Sequence, residues 1–255
     1  MQRPFAEQQG SRTYRKFTHK KKEQCDLQAI HRIRQKYIQH RTATANQIRG
    51  LLAEDGVIIP QGITHVRKQL PIILDDTENE MSDLKRELLQ DEYVALCYLD
   101  TRINNLTRRL NSIAKERDDC RRLIQIPGIG PLIATALVCV AGNGKSFKNA
   151  RVFSAYLGLV PRERSSGGKQ RLLGISKQGN AYIRGLLIQG AHAVILSLRR
   201  NPEKKQWLKM LIDRRGVQKA AVAEADKIAR IAWSMLAKQT CYKMPAVRHA
   251  ICSAA

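Results

Sequence analysis

Between Leu96 and Ile113 the apolar residues Leu96, Leu99, Ile103, Leu106, Leu110 and Ile113 step 3, 4, 3, 4, 3 along the chain. That is the a/d repeat of a coiled-coil seam, a stripe on one side of a helix that has to be covered by another helix. A looser approach through Met81, Leu84 and Leu88 extends it, and the helical pattern runs from about Leu70 to Leu123. Upstream, Leu27, Ile30, Ile33, Tyr37, Ala45, Ile48 and Leu51 recur mostly at threes and fours from about Lys22 to Glu54, until Gly56, Pro60 and Gly62 interrupt them. Antiparallel pairing with this first helix would satisfy the seam, and so would a second copy of the chain. The pattern leaves both open.

Charge is distributed along the same lines. The 255 residues carry a formal charge of +23, far more than solubility needs, and this points to a polyanionic partner. Lys+Arg against Asp+Glu is 12 to 3 over residues 1–50, 11 to 14 over 51–122 and 22 to 5 over 123–255. A near-neutral spacer therefore joins two basic flanks. The six cysteines, Cys25, Cys97, Cys120, Cys139, Cys241 and Cys252, form no C-x-x-C pair and have no histidine at metal-ligand spacing, so they read as reduced thiols. No apolar run is expected to reach the ~18 residues of a membrane span, and the polar N-terminus lacks a signal-peptide core. The expected setting is the cytoplasm, with nucleoid association and no membrane.

"IPGIGPLIATALV", from Ile126 to Val138, ends one helix and starts another across Pro127-Gly128-Ile129-Gly130, with Pro131 at a first helical position that tolerates its missing N–H. Two readings stand. A helix-hairpin-helix would aim the Gly128 and Gly130 amides at a DNA phosphate; a plain helix corner would use the same glycines for close approach. "GNGKS" at Gly142–Ser146 lacks the leading glycine of a phosphate-binding loop and reads as a surface turn. From Phe147 to Gly190 the one acid is Glu163, among Arg151, Arg162, Arg164, Lys169, Arg171, Lys177 and Arg184. Such a field suits a phosphodiester backbone and charge developing on it. Ser165-Ser166-Gly167-Gly168 lies at its centre on a loop, where a hydroxyl can approach phosphorus closely. Ser176-Lys177-Gln178-Gly179-Asn180 reads as a turn and helix cap, His192 as either a base or a buried structural histidine, and Trp207 and Trp233 as core anchors.

"IPGIGPLIATALV", "FKNARVFSAYLGLVPRERSSGGKQRLLGISKQGNAYIRGLL" and "DKIARIAW", in that order and spacing, resemble the C-terminal domain of the bridge-RNA-guided insertion-sequence transposases, the one-hundred-ten family with its Piv-like invertase relatives. "LQAIHRIRQKYIQHRTATANQIRGLLAEDGVIIPQG" is similar to the helix that follows the catalytic domain there, so the resemblance spans about residues 24–238. It implies a mobile-element DNA recombinase with two halves: an RNase H-like domain whose Asp-Glu-Asp-Asp set holds divalent metal, and a domain supplying a nucleophilic serine. The serine maps onto Ser166, with Ser165 as the fallback, and implies a transient serine–DNA linkage. A structured guide RNA is the implied further partner.

The departure from that pattern is at the front. Residues 1–23 contain only Glu7 and Glu23 as acids, so no cofactor is expected in this chain and a divalent metal only in a missing domain. The expected architecture is all-α: 1–23 a disordered basic arm, 24–60 a leading helix, 61–122 a coiled-coil helix, 123–240 the C-terminal transposase domain containing the helix-hairpin-helix, and 241–255 a tail. The expected function is that of a DNA-binding transposase, a truncated copy that keeps the serine-bearing half. DNA contacts are expected from Gly128, Gly130, Arg162, Arg164, Lys169, Arg171, Lys177 and Arg184. It would act as a homo-oligomer or paired with a full-length transposase through the coiled coil. The rival reading is a non-catalytic DNA- or RNA-binding protein that modulates such a partner.

Overall fold

A computed structural model of the chain describes residues 22–79, 81–164, 171–198 and 206–243. Among them the fold is all-α apart from one two-stranded sheet. Helices α1 (Lys22–Glu54) and α3 (Asp83–Glu116) run antiparallel as a stalk. Their register is fixed by Lys85 to Asp55 (2.7 Å), Arg41 to Asp100 (3.0 Å) and Arg34 Nε donating to Thr107 Oγ1 (2.8 Å). The seam is thereby covered within the chain. Leu89, Leu96, Ile103 and Leu110, seven residues apart, are all buried, the first two in a cluster with Ile48 and Leu52 of α1 and with Val66 and Leu70 of α2 (Ile63–Asp75).

The pattern from Leu70 to Leu123 is not one helix, as the periodicity suggests, but parts of three, and local polar groups make the breaks. After α2, Asp76 accepts from the Glu78 amide (3.0 Å) and Asn79 Nδ2 donates to the Ile73 carbonyl (2.7 Å). Ser82 then caps α3 by accepting from the Lys85 amide. Arg117, extended at φ −88°, ψ 124°, separates α3 from α4 (Asp118–Ile124). Its guanidinium grips Asp119 at 3.1 and 2.8 Å.

The head is built from α4, α5 (Pro131–Ala141), α6 (Ala150–Tyr156), α7 (Ala181–Leu198), α8 (Gln206–Arg215) and α9 (Val217–Lys238). Against expectation, α7 is long and apolar enough, by length and composition, to cross a membrane: 18 residues with mean hydropathy 1.3. Here Ile183, Leu186, Leu187, Gly190, Ala191, Val194 and Ile195 line the head core.

The Pro127–Gly130 turn rests against α7. At Gly128, φ +92°, an added Cβ would lie 2.8 Å from the Gly190 carbonyl oxygen and 2.8 Å from Val194. Close backbone approach therefore accounts for the glycine at 128. Gly130, the N-cap of α5, has open space where a side chain would stand.

Trp233 is the anchor expected of it, its Nε1 donating to the Gly144 carbonyl at 3.0 Å. Trp207 is not a core residue: it is 37 % exposed, with Lys227 Nζ 4.3 Å from its ring centre. His192 is only half-buried. The buried histidine of this fold is His31, 3 % exposed. Cys25, Cys97, Cys120, Cys139 and Cys241 are free thiols; Cys252, like most of the 1–23 arm and the 241–255 tail, lies outside the described residues.

Candidate nucleic-acid interface

Two strands flank the serine-bearing segment. β1 (Pro161–Glu163) and β2 (Leu172–Ile175) pair antiparallel, Pro161 opposite Ile175 and Glu163 opposite Leu172 with a register irregularity between. The pairing continues at both ends: the Arg164 amide donates to the Arg171 carbonyl (2.9 Å) and the Ser176 amide to the Val160 carbonyl (2.9 Å). Every residue of β1 is exposed. A two-stranded ribbon is marginal alone, so its position depends on its root.

That root is tightly built. The Lys177 amide donates to the Gly158 carbonyl (3.2 Å), with Lys177 itself at φ 56°. Gly158 and Gly179 let the end of α6 and the 177–179 turn touch backbone to backbone. Arg184 Nη1 donates to the Leu157 carbonyl at 3.0 Å and the Gln178 carbonyl at 3.4 Å. Arg184, expected among the phosphate contacts, thus braces the ribbon. The Asn180 side chain caps α7 as expected, accepting from the Ile183 amide at 3.1 Å.

The structure brings Arg162, Arg164 and Arg171 together on the ribbon, all exposed, with Lys177 exposed at its foot. Among the described residues these three guanidinium groups have no hydrogen bond or ion pair. Ser165, Ser166 and Lys169 lie outside the described residues, in the 165–170 segment between the two arms. Gly128 belongs to the packed turn, and Gly130 to the open start of α5.

Beside the ribbon's foot lies a feature that sequence reading missed. A cleft of about 230 Å³ opens between α1, α5 and the start of α7, lined among others by Arg32, Gln35, Cys139, Asn180 and Tyr182. His31 stands at its back. Its Nδ1 lies 3.0 Å from Tyr182 Oη and its Nε2 lies 3.1 Å from Thr135 Oγ1. Thr135 directs its own hydroxyl to the Pro131 and Leu132 carbonyls, so it accepts from His31 Nε2–H, and Nδ1 then accepts from Tyr182. That direction requires neutral imidazole. Burial, helped by the nearby Arg34 guanidinium, lowers the His31 pKa from 6.5 to about 4. Burial also pushes the Tyr182 hydroxyl up, against the opposing pull of Arg34. The one clue in the sequence was a histidine four residues after Leu27, on the apolar face of α1.

Among the described residues several carboxylates are engaged by basic side chains. Asp100 is held by Arg41 and Arg67, Asp119 by Arg117, Asp118 by Arg121, Asp55 by Lys85 and Asp226 by Arg230. No group of three or more His, Cys, Asp or Glu gathers among the described residues.

Residues 120–208, from within α4 to α8, match the model of the family described as Transposase IS116/IS110/IS902 family. The chain is 40% identical over 222 residues to the transposase for insertion sequence element IS1111A of Coxiella burnetii, a match covering 87% of this chain and 61% of that protein. It is 38% identical over 226 residues to a probable family 20 transposase of Pseudomonas aeruginosa, covering 88% of this chain and 67% of that one. The chain belongs to the IS116/IS110/IS902 transposase family. It spans about three fifths of the first relative's length and two thirds of the second's. A shorter match, 32% over 118 residues, joins it to the pilin gene-inverting protein of Moraxella lacunata, covering 45% of this chain and 35% of that protein. The segment shared with the family model contains the whole ribbon and its root.

Proposed function

We propose that this chain binds DNA through the β1–β2 ribbon and serves DNA transposition and recombination of the insertion-sequence type, in the cytoplasm at the nucleoid. The observation that carries this reading is the exposed ribbon of three arginines, Arg162, Arg164 and Arg171, without hydrogen-bond or ion-pair partners among the described residues, in a member of a transposase family. Guanidinium groups bind phosphate oxygens in forked pairs and keep their charge at any working pH. Lys169 and Lys177 add to the same field, and the open start of α5 at Gly130 offers a helix N-terminus to a further phosphate. Ser166, or its neighbour Ser165, is the nucleophile in this reading. Its Oγ bonds to phosphorus as one P–O ester bond breaks, its proton leaves to solvent, and the released strand oxygen takes one up. Rejoining reverses each step.

The metal-holding half, a structured guide RNA and a second copy or full-length transposase are further participants in this reading. The outward-facing Leu84, Leu88 and Tyr98 of the stalk support assembly through α3.

DNA binding is tested by salt titration. With about six phosphates neutralised, log affinity falls against log salt with a slope near −5. In the Arg162→Ala/Arg164→Ala/Arg171→Ala protein the slope becomes shallower by about three, one for each lost contact. A slope unchanged by the triple substitution removes the ribbon from the interface. For the serine, a Ser166→Ala chain added to a complete relative's reaction is expected to abolish covalent strand exchange while DNA affinity stays unchanged. Undiminished exchange removes Ser166 from the chemistry.

A further inference from the structure

We propose that the cleft between α1, α5 and the start of α7 is a receptor for a single unpaired nucleobase of a DNA strand lying along the ribbon. The inference rests on the DNA-binding reading above and adds to it a second mode of contact, to a base instead of the backbone.

Position comes first. β2 leaves the ribbon, passes through Ser176–Gly179 and enters α7 at Asn180, so one wall of the cleft is the direct continuation of the arm that carries Arg171. A strand held by its phosphates on the ribbon thus passes the cleft mouth. Size comes second. At about 230 Å³ the space falls below the roughly 300–1,000 Å³ of sites that enclose a drug-sized ligand, which suits one ring system better than a nucleotide cofactor.

Chemistry comes third. Tyr182 lines the cleft with its hydroxyl engaged by His31, so the phenol ring is fixed in place and its remaining role toward a ligand is stacking. Arg32 and Gln35, on successive turns of α1, line the opposite wall, and among the described residues neither has a hydrogen bond or ion pair. Asn180 uses its Oδ1 to cap α7, which leaves its amide N–H groups as donors. Guanidinium and carboxamide groups are the side chains that read base edges in pairs of hydrogen bonds. Among the described residues no carboxylate lines the space. An aromatic wall with convergent amide and guanidinium groups and no acid is the composition expected for a base taken out of its stack.

The test compares the full chain's affinity for a paired DNA duplex and for the same duplex carrying one unpaired nucleotide. The bulged duplex is expected to bind about tenfold more tightly. Arg32→Ala/Gln35→Ala, both outside the ribbon, is expected to erase that difference while paired-duplex affinity stays within about threefold. No preference in the wild type, or a preference that survives the double substitution, overturns the proposal. Failure to bind the paired duplex would instead sink the DNA reading itself, so the two failures are distinguishable. Two further arms fix the source of the base: a preference confined to RNA bulges, or its abolition by a free nucleoside monophosphate at equimolar concentration, overturns the assignment to a DNA strand.

Discussion

The Gly190→Ala protein is expected to melt below the wild type, by up to about 8 °C, and the Gly185→Ala protein slightly above it. Both glycines lie in α7, where helix propensity alone favours alanine by about 1 kcal/mol. Gly185 is exposed and nothing lies within 4 Å of where its Cβ would stand, so the propensity gain is kept. At Gly190 the new carbon would fall far inside 3.0 Å of the Gly128 carbonyl oxygen and about 3.0 Å from Ile133 Cδ1. Backbone cannot move aside as a flexible side chain can. Either α7 shifts away from the turn or the turn gives way, and overpacking of this kind costs about 1–3 kcal/mol, occasionally more. Thermal unfolding followed by circular dichroism reads both signs in one experiment. Equal stabilisation of the two variants would show that α7 and the Pro127–Gly130 turn are not in contact.

Acid is expected to weaken the fold through His31 before the carboxylates titrate. The imidazole is neutral in the native protein down to about pH 4, whereas in the unfolded chain it takes up a proton near 6.5. Between those values the unfolded state binds more protons, so stability rises with pH across the window and is lost as pH falls through it. By pH 5 the loss is about 2 kcal/mol, approaching roughly 3 kcal/mol at pH 4. His31→Gln keeps a donor for Thr135 and an acceptor for Tyr182 without the titration. Urea unfolding at pH 7, 6 and 5 should therefore show the wild type losing about 2 kcal/mol more than the variant. Parallel losses would mean that His31 is not held neutral.

The stalk was legible because its seam is periodic: Leu96, Ile103 and Leu110 can be read as one face without knowing what covers them. What covers them was not legible, since a second copy and α1 offer the same apolar stripe. Ion pairs between α1 and α3 of the same chain, such as Arg41 with Asp100, 59 residues apart, set α1 against the seam. The helix breaks at 76–82 and at Arg117 were missed because a few local hydrogen bonds outweigh an unbroken apolar rhythm. The strands were missed for the opposite reason. β1 has three residues, begins with proline and alternates nothing apolar, so no period exists to detect, and its pairing is imposed by the root at Gly158 and Gly179. The arginines of the ribbon were legible from charge density alone, yet Arg184, in the same run, turned out to be a brace. The cleft was invisible because its walls come from residues about 100 and 150 positions apart, as the links of His31 to Thr135 and Tyr182 show.

α1 is one uninterrupted rod of 33 residues, about 50 Å long, clamped at one end by Leu27 against Leu110 and Cys139 and at the other by Ile48 and Leu52. Because α3 is pinned along this rod by Lys85, Asp100 and Thr107, Arg32 and Gln35 stand on a strut braced at both ends, and the α1 wall of the cleft is held in place before any strand arrives.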